Sequence, residues 1–209
     1  MTKQQRVSTQ ACVEAILVIN CGSSSVKFSL IQPESGTTLL SGLAECLTTS
    51  QAIIKIRHNV DIDNEEEIET SELVEPFDHQ VALSTLVDKL VQLNLVDDIV
   101  AVGHRVVHGG EHYAQPTLID TNVKATIEKL AKLAPLHNPA NLIGINACQQ
   151  AFTNLPQVAI FDTAFHQSMP EKAFLYGLPF KLYQEHSIRR YGFHGTSHYF
   201  VANQAAKLM

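Results

Sequence analysis

The sequence predicts a mixed α/β fold, in which helices pack on a mixed five-stranded sheet. Strand-like runs come first, and strands that alternate with helix-like segments follow. This order indicates antiparallel and parallel strands in one sheet. Polar residues also stand where strands end. Because ligands of open α/β sheets bind beyond the carboxyl ends of strands, we expect one shared site there.

Four strands are predicted in the first third of the chain. Apolar runs separated by turn-forming residues favour extended structure, and Pro-Glu-Ser-Gly at 33–36 separates the second run from the third. Apolar and polar residues alternate in the fourth run, as in a half-buried strand. The predicted strands span residues 14–20, 25–32, 37–45 and 52–58.

Helices alternate with buried strands in the rest of the chain. Apolar residues recur at helical spacing in the first helix, Thr121 or Asn122 is a good cap for the second, and Pro139 suits the first turn of the third. Two more strands are predicted at 99–107 and 157–161. The predicted helices span 79–94, 121–133, 139–152, 179–187 (weakly) and 195–208.

The composition is that of an ordinary globular domain, with 45% hydrophobic and 17% charged residues among 209. No apolar run is long enough to cross a bilayer, and residues 1–13 lack the apolar centre of a signal peptide. We therefore expect a cytoplasmic protein with a flexible extension at 1–13 and one domain at 14–209. The four cysteines show no paired spacing, which favours reduced thiols.

The net charge of −6 comes from one segment, residues 61–78, which holds nine acids and no Lys or Arg. The rest of the chain carries 12 acids and 15 bases, without the basic cluster that would indicate a nucleic-acid partner. The segment is either a solvated excursion at the domain edge, the interpretation we favour, or a patch for a partner or a metal.

The stretch INCGSSSVKF, residues 19–28, joins the first two strands. Its small residues let backbone N–H groups approach an anion, and its Ser hydroxyls and Lys27 would add donors for phosphate. It matches neither the Walker A sequence nor the dinucleotide fingerprint nor G-x-S-x-G. From the residue types alone, a phosphate-binding loop and a plain Ser-rich turn fit equally well.

Arg105 stands among apolar residues near a strand end, in VGHRVVHGGE at 102–111. A buried arginine needs an anionic partner, and a guanidinium matches carboxylate or phosphate. The partner is either a substrate or an acid of the protein, such as Asp162 or Glu111. Asp162, in AIFDTAFH at 159–166, could orient Arg105, hold a metal ion, act as a base, or cap a helix at 163–170.

Histidines and glycines mark two further stretches. His104, His108 and His112 recur every four residues, but this spacing suits a metal site on a helix and not the predicted strand and turn. In RRYGFHGTSH, at 189–198, Gly-Thr-Ser precedes a helix and could bind an anion at its N-terminus. Capping of that helix by Thr196 or Ser197 explains the pattern equally well.

Five motifs together resemble the acetate kinase family, and they occur in the order NCGSSSVK, GHRVVHGGE, HNP, FDTAFH and RRYGFHGTSH. The resemblance implies a ribonuclease H-like domain of the sugar kinase/actin/Hsp70 superfamily. It also implies reversible phosphoryl transfer from ATP to acetate, which gives acetyl phosphate and ADP, with Mg²⁺. Cationic donors suit the negative charge of such a transition state.

The resemblance assigns roles to residues on the phosphate side and on the carboxylate side. Asn20 would help to place Mg²⁺, Ser23, Ser25 and Lys27 would line the phosphate path, and His194 would stabilise the transition state. Arg105 would bind the substrate carboxylate, and Asp162 would be the catalytic acid residue. The pocket for the methyl group would be formed by Val107, Leu136 and Phe193, with His137 nearby.

A general base at Asp162 would have almost no proton to remove, because a carboxylic acid substrate titrates near pH ~4 and is already ionised at neutral pH. We therefore hypothesise that Asp162 orders Mg²⁺-bound water or Arg105.

The family has a second domain with the adenosine site, a further arginine and a glutamate that positions Mg²⁺, and these have no counterpart here. We expect the chain to be the N-terminal domain of such a kinase, to lack turnover alone, and to belong to a homodimer only as part of the whole protein. Propionate or butyrate remains an alternative substrate. The alternatives from other classes are a non-catalytic anion-binding domain and a metallohydrolase.

Overall fold

The computed structural model describes residues 14–59 and 66–209. Within them, eight strands form one sheet in the order β5-β4-β3-β2-β1-β6-β8-β7. The strands are β1 (Ala15–Cys21), β2 (Val26–Ile31), β3 (Thr38–Glu45), β4 (Ile53–Asn59), β5 (Glu66–Glu72), β6 (Ile99–Val106), β7 (Thr117–Leu118) and β8 (Gln157–Phe161).

The sheet is mixed, as predicted. Strands β1 to β5 pair as an antiparallel meander, whereas β6 runs parallel to β1 and β8 runs parallel to β6. The short β7 closes the far edge antiparallel to β8. Parallel neighbours need crossover connections, and the helical segments between β1, β6 and β8 supply them. The carboxyl ends of β1, β6 and β8 therefore lie side by side.

Six α-helices lie within the described residues: α1 (His79–Gln92), α2 (Thr121–Lys129), α3 (Asn138–Ala151), α4 (Glu171–Phe174), α5 (Phe180–His186) and α6 (Gly195–Lys207). Asp78 and Asp120 cap α1 and α2 through side-chain hydrogen bonds to Val81 and Val123. The helix α3 packs on β1 and β6, with α1 and α2 beside it.

Alternation along the strands directs one set of side chains into the core. Leu17, Ile19 and Leu30 of the meander are buried with Leu86 and Leu90 of α1. A smaller cluster lies between the parallel strands and α2 and α3, and it contains Val106, Val123, Ile127, Ile145, Ala159 and Phe161. The residues one position away on β1 and β6 face the other side, and Asn20 and Arg105 are among them, half-buried.

The predicted mixed α/β class is confirmed, but five strands were too few. Six strands were located from the sequence, and the structure adds β5 and the two-residue β7 at the sheet edges. The predicted helix at 121–133 ends as an α-helix at Lys129 and continues as a 3₁₀ turn over Leu130–Lys132. No helix spans 163–170; a 3₁₀ turn over Phe165–Ser168 stands there.

The acidic segment is not only a solvated excursion, because residues 66–72 of it form the edge strand β5. Glu69 of β5 binds the ammonium of Lys89 on α1, and this contact lowers the pKa of Glu69. Asp78 caps α1. The expected extension at 1–13 and residues 60–65 lie outside the described residues. No helix in the described ranges has the length and apolar character needed to cross a membrane.

Candidate functional site

Three polar side chains meet at the carboxyl ends of the parallel strands. Asn20 is the penultimate residue of β1, Arg105 is the penultimate residue of β6, and Asp162 follows β8 directly. Arg105 Nε donates to both carboxylate oxygens of Asp162, at 3.1 and 3.0 Å, and Nη2 donates to Oδ2 at 2.5 Å. Arg105 Nη1 donates to Asn20 Oδ1 at 3.3 Å. The three predicted residues therefore form one hydrogen-bonded group.

Asp162 is the buried member of this group. Only 1% of its side chain is exposed, whereas 34% of the Arg105 side chain is exposed. Thr196 Oγ1 donates to Asp162 Oδ1 at 3.1 Å, and the backbone N–H of Gly195 donates to the Asp162 carbonyl oxygen at 2.9 Å. Asp162 thus holds the Nε edge of the guanidinium and leaves the Nη1 end directed towards the strand ends.

The loop of INCGSSSVKF is a tight turn that leaves its side-chain donors free. Gly22 N–H donates to the Ser25 carbonyl oxygen at 2.8 Å. Lys27 lies opposite Asn20 in the β1–β2 register, on the same face of the sheet. Within residues 14–59 and 66–209, the structure shows no hydrogen-bond partner for the hydroxyls of Ser23 and Ser25 or the ammonium of Lys27.

Two buried asparagines of α3 stabilise this region, and neither was assigned a role from the sequence. Asn141 Nδ2 donates to the Cys21 carbonyl oxygen at 2.8 Å, and its Oδ1 accepts from the Val107 N–H at 3.0 Å. Asn138 Oδ1 accepts from the His108 N–H at 3.1 Å. The signal that could have found them is a pair of asparagines three residues apart at the start of an otherwise apolar helix.

His79 also holds the loop. Its Nε2 lies 2.7 Å from the Gly22 carbonyl oxygen, and its side chain is buried at the first turn of α1. Nothing in the local sequence distinguishes this histidine from the nine others.

Of the residues predicted to form the pocket for the methyl group, Phe193 contacts His108, and Leu136 and Phe193 are exposed. Val107 is half-buried after β6, and the Phe193 ring lies 5.5 Å from the His108 ring. Leu136 and Phe193 are 71% and 43% exposed. His137 is the N-cap residue of α3 but makes no capping hydrogen bond with its side chain, which is exposed.

His194 stands at the N-terminus of α6 with a left-handed backbone, φ 58°. It is the N-cap residue, yet its side chain makes no capping hydrogen bond, and the hydroxyl of Thr196, in the first turn of α6, donates to Asp162. The imidazole of His194 is exposed and has no partner among the described residues. An open cleft of about 550 Å³ adjoins this end of the helix and is lined by Ile160, Phe165, Thr196 and Tyr199.

The histidines spaced by four do not form a metal site in the described residues. Burial lowers the pKa of His104 and of His108 to about 4, so both are neutral at physiological pH. His104 Nε2 contacts Gln157 Oε1 at 2.7 Å, and His108 Nδ1 accepts from the Gly110 N–H. The single His and acid group found in the described ranges is His58, Glu67 and Glu69.

A positive charge already occupies that group, because the Lys89 ammonium binds Glu69.

Comparison with known proteins gives a family match over nearly the whole chain. The model of the acetokinase family matches residues 15–209. The chain is 51% identical over 195 residues to the acetate kinase of Chromobacterium violaceum and 53% identical over 194 residues to acetate kinase 1 of Vibrio cholerae. These matches cover 93% and 92% of the chain and 47% of each relative. The chain therefore spans about half the length of the curated relatives it matches.

Solved structures agree with the expected fold. A propionate kinase from Francisella tularensis superposes with a TM-score of 0.85 at 44% identity, over 93% of this chain and 49% of that one. The acetate kinase of Porphyromonas gingivalis superposes with a TM-score of 0.81 at 38% identity, with the same coverage of the two chains.

Proposed function

Because this chain belongs to the acetokinase family, we propose that it carries the carboxylate-binding and phosphoryl-binding part of a kinase that forms acetyl phosphate and ADP from acetate and ATP. In this proposal residues 14–209 are one domain of a longer kinase, and the nucleoside of ATP binds to the other part. The observation that carries the proposal is the Arg105 guanidinium, which Asp162 holds at the carboxyl ends of three neighbouring strands.

Arg105 would bind the substrate carboxylate with the part of the guanidinium that Asp162 leaves free. Its Nη1 already reaches a neutral oxygen, Asn20 Oδ1, at the long distance of 3.3 Å. A carboxylate is a stronger acceptor than an amide oxygen, so the substrate would replace this weak contact. The apolar side chains of Val107, Leu136 and Phe193 would then cover the short acyl chain.

The free donors of the opening loop would bind the phosphoryl group. No hydrogen-bond partner in the described residues engages the side chains of Ser23, Ser25 and Lys27. Lys27 lies opposite Asn20 in the β1–β2 register. His194, exposed at the start of α6, would add a donor on the far side of Asp162. Hydroxyl and cationic donors suit a transition state whose negative charge is spread over the phosphoryl oxygens.

The residues at the site fit Mg²⁺ only as an ion held largely through water and phosphate. Mg²⁺ commonly uses one or two carboxylates together with substrate phosphates. Here the Asp162 oxygens accept from Arg105 and Thr196, and Asn20 offers a neutral oxygen. When bound, the ion would neutralise phosphate charge, and Asn20 would contact one of its waters.

Asp162 would act by orienting Arg105 and not as a general base. Both of its oxygens are engaged, and the substrate is already ionised at neutral pH. Asp162→Asn should therefore raise the KM for acetate together with its loss of rate, and a raised Mg²⁺ requirement would indicate that Asp162 also orders Mg²⁺-bound water. A loss of kcat at unchanged KM and unchanged Mg²⁺ dependence would contradict this role.

The direct test joins this chain to the remaining carboxyl-terminal part of the Chromobacterium violaceum acetate kinase. We expect the chimera to form acetyl phosphate, trapped as the hydroxamate, from acetate, ATP and Mg²⁺. Arg105→Ala should abolish turnover, and Lys181→Ala, which removes an exposed cation on α5, should leave it unchanged. A soluble, folded chimera without turnover, or full activity of Arg105→Ala, would refute the proposal.

Propionate is the second candidate acceptor, because a propionate kinase is among the similar solved structures. One methylene changes kcat/KM by a factor of about 10–200 in a fitted pocket. The same chimera assayed with acetate, propionate and butyrate would therefore rank the three acids. A higher kcat/KM for propionate than for acetate would reassign the substrate without changing the reaction.

A further inference from the structure

Glu111 and Arg189 lie in two of the motifs, and the proposed function gives neither of them a role. Glu111 follows the Gly-Gly turn after β6, and Arg189 precedes the loop that carries Phe193 and His194. Arg189 Nη1 donates to Glu111 Oε1, which also accepts from Tyr183 Oη at 3.1 Å. Only 4% of the Arg189 side chain is exposed. An arginine this deeply buried is held by its partners and has little freedom to move.

Aromatic rings hold the guanidinium on its other sides. The Arg189 Cζ atom lies 3.6 Å from the centre of the Phe174 ring and 5.2 Å from that of Tyr191. Its Nε donates to the Arg190 carbonyl oxygen at 3.1 Å. These contacts tie the turn after β6 to two separate parts of residues 173–193, and an uncharged side chain at position 189 would lose the ion pair and the cation–π contacts together.

Contacts between aromatic rings connect the Glu111–Arg189 pair with Phe193. The Tyr191 ring lies 4.4 Å from the His108 ring, and the His108 ring lies 5.5 Å from that of Phe193. Gly192, between the two aromatic residues, has φ +69°, and a Cβ there would approach the His166 ring to 2.5 Å. The backbone turn that presents Phe193 is therefore fixed against His166 on one side and against His108 on the other.

We propose that Glu111 and Arg189 are a positioning pair that fixes Phe193 and His194 relative to the end of β6, and so sets how strictly the pocket selects the acyl chain. This inference rests on the proposed function, since Phe193 meets an acyl chain only there. Phe193 is itself 43% exposed, so burial alone does not hold it in place. Its position depends on the anchor at Arg189 and on the two ring contacts.

The test uses the chimera with Arg189→Met, Arg189→Lys and Glu111→Gln. For Arg189→Met we expect kcat/KM for acetate to fall about 100-fold, as for a reacting geometry displaced by about 1 Å. We also expect the ratio of kcat/KM for acetate to that for propionate to move about tenfold towards unity. Glu111→Gln keeps the shape of the side chain and one acceptor oxygen. Its kcat/KM for acetate and its selectivity ratio should therefore lie between those of wild type and Arg189→Met. Arg189→Lys keeps the charge and should restore part of the selectivity.

The neighbouring Arg190→Met is the matched control, because Arg190 is exposed and its guanidinium contacts a carbonyl oxygen of α4 and the Tyr176 ring but neither Glu111 nor the rings around His108. It should leave the selectivity ratio unchanged. A purely structural ion pair would lower the unfolding temperature of the Arg189 and Glu111 variants without moving that ratio. An unchanged ratio in Glu111→Gln and Arg189→Met therefore overturns the proposal.

A second measurement separates this proposal from the proposed function. Hydrogen exchange on the 209-residue chain needs no catalytic activity, and we expect the amides of residues 190–195 to exchange at least about tenfold faster in Glu111→Gln than in wild type. If the wild-type chimera shows no turnover, the proposed function fails, and the exchange rates alone decide the positioning role. Unchanged exchange at 190–195 would then refute it.

Discussion

The Arg105–Asp162 ion pair allows a prediction about stability, because its two members differ sharply in burial. Asp162 is 1% exposed and Arg105 is 34% exposed. Arg105→Met would leave a buried carboxylate with Thr196 as its main remaining side-chain donor, and an uncompensated buried charge of this kind costs about 3–5 kcal/mol. Asp162→Asn would leave a guanidinium that water can reach and an amide oxygen that still accepts, at a cost of about 1–3 kcal/mol.

Urea unfolding of the 209-residue chain, followed by circular dichroism at pH 7.5, measures both changes. The double variant, Arg105→Met with Asp162→Asn, should lose less free energy of unfolding than the two single variants lose in sum. We expect a coupling energy of about 1–3 kcal/mol. Lys181→Met is the control, because its ion pair with Glu185 is solvent-exposed and should change the free energy of unfolding by less than about 0.5 kcal/mol.

The order of the two single variants is the critical result. If Asp162→Asn destabilised the chain more than Arg105→Met, burial would not decide the energetics of this pair. If the effects of the two single variants were additive, the hydrogen bonds at 2.5–3.1 Å would contribute nothing as a pair. Either result would contradict a coupling between the buried carboxylate and the guanidinium, and with it the role of Asp162 in orienting Arg105.

Three further predictions follow from buried groups. Because burial lowers the folded-state pKa of His104 and of His108 to about 4, the unfolded chain takes up protons first as the pH falls below about 6.5. The free energy of unfolding should therefore fall by about 2 kcal/mol per histidine at pH 5, and His104→Gln should reduce this pH dependence in urea titrations. Asn141→Leu leaves backbone groups at the ends of β1 and β6 unpaired and should cost about 2–4 kcal/mol in the same assay, whereas the exposed Asn203→Leu should cost little. Iodoacetamide should alkylate the exposed Cys46 in the native chain and leave Cys148 unmodified, since burial raises the pKa of the Cys148 thiol to about 12; mass spectrometry of tryptic peptides would show a violation.

Much of the fold could be predicted because the signals are local. Alternation located β4, helical spacing located α1, and the residues before Pro139 located the start of α3 within one residue. The acidic strand β5 could not be found in this way. Its side chains are mostly charged, and it is a strand because β4 offers it an edge and because the side chains of Lys89 and His58 contact the Glu69 carboxylate.

The residues of the candidate site also fall into two groups, those that local sequence signals could identify and those that they could not. Asn20, Arg105 and Asp162 could be singled out because each is a polar residue at the end of an apolar strand. His79, Asn138 and Asn141 could not, because their importance lies in backbone partners that belong to other elements.

Periodicity and motifs are properties of neighbouring residues, so the types of element, the family and the residues at strand ends could be inferred from the sequence alone. Which polar groups became partners, in contrast, depended on the three-dimensional fold. Arg105 meets Asp162 across 57 residues and Asn141 meets Cys21 across 120, and sheet register and helix packing bring these groups together. It also directed Arg105 to Asp162 and Arg189 to Glu111, a choice that the sequence left open. The physical reason is that a buried charge takes the oppositely charged group the fold brings within reach.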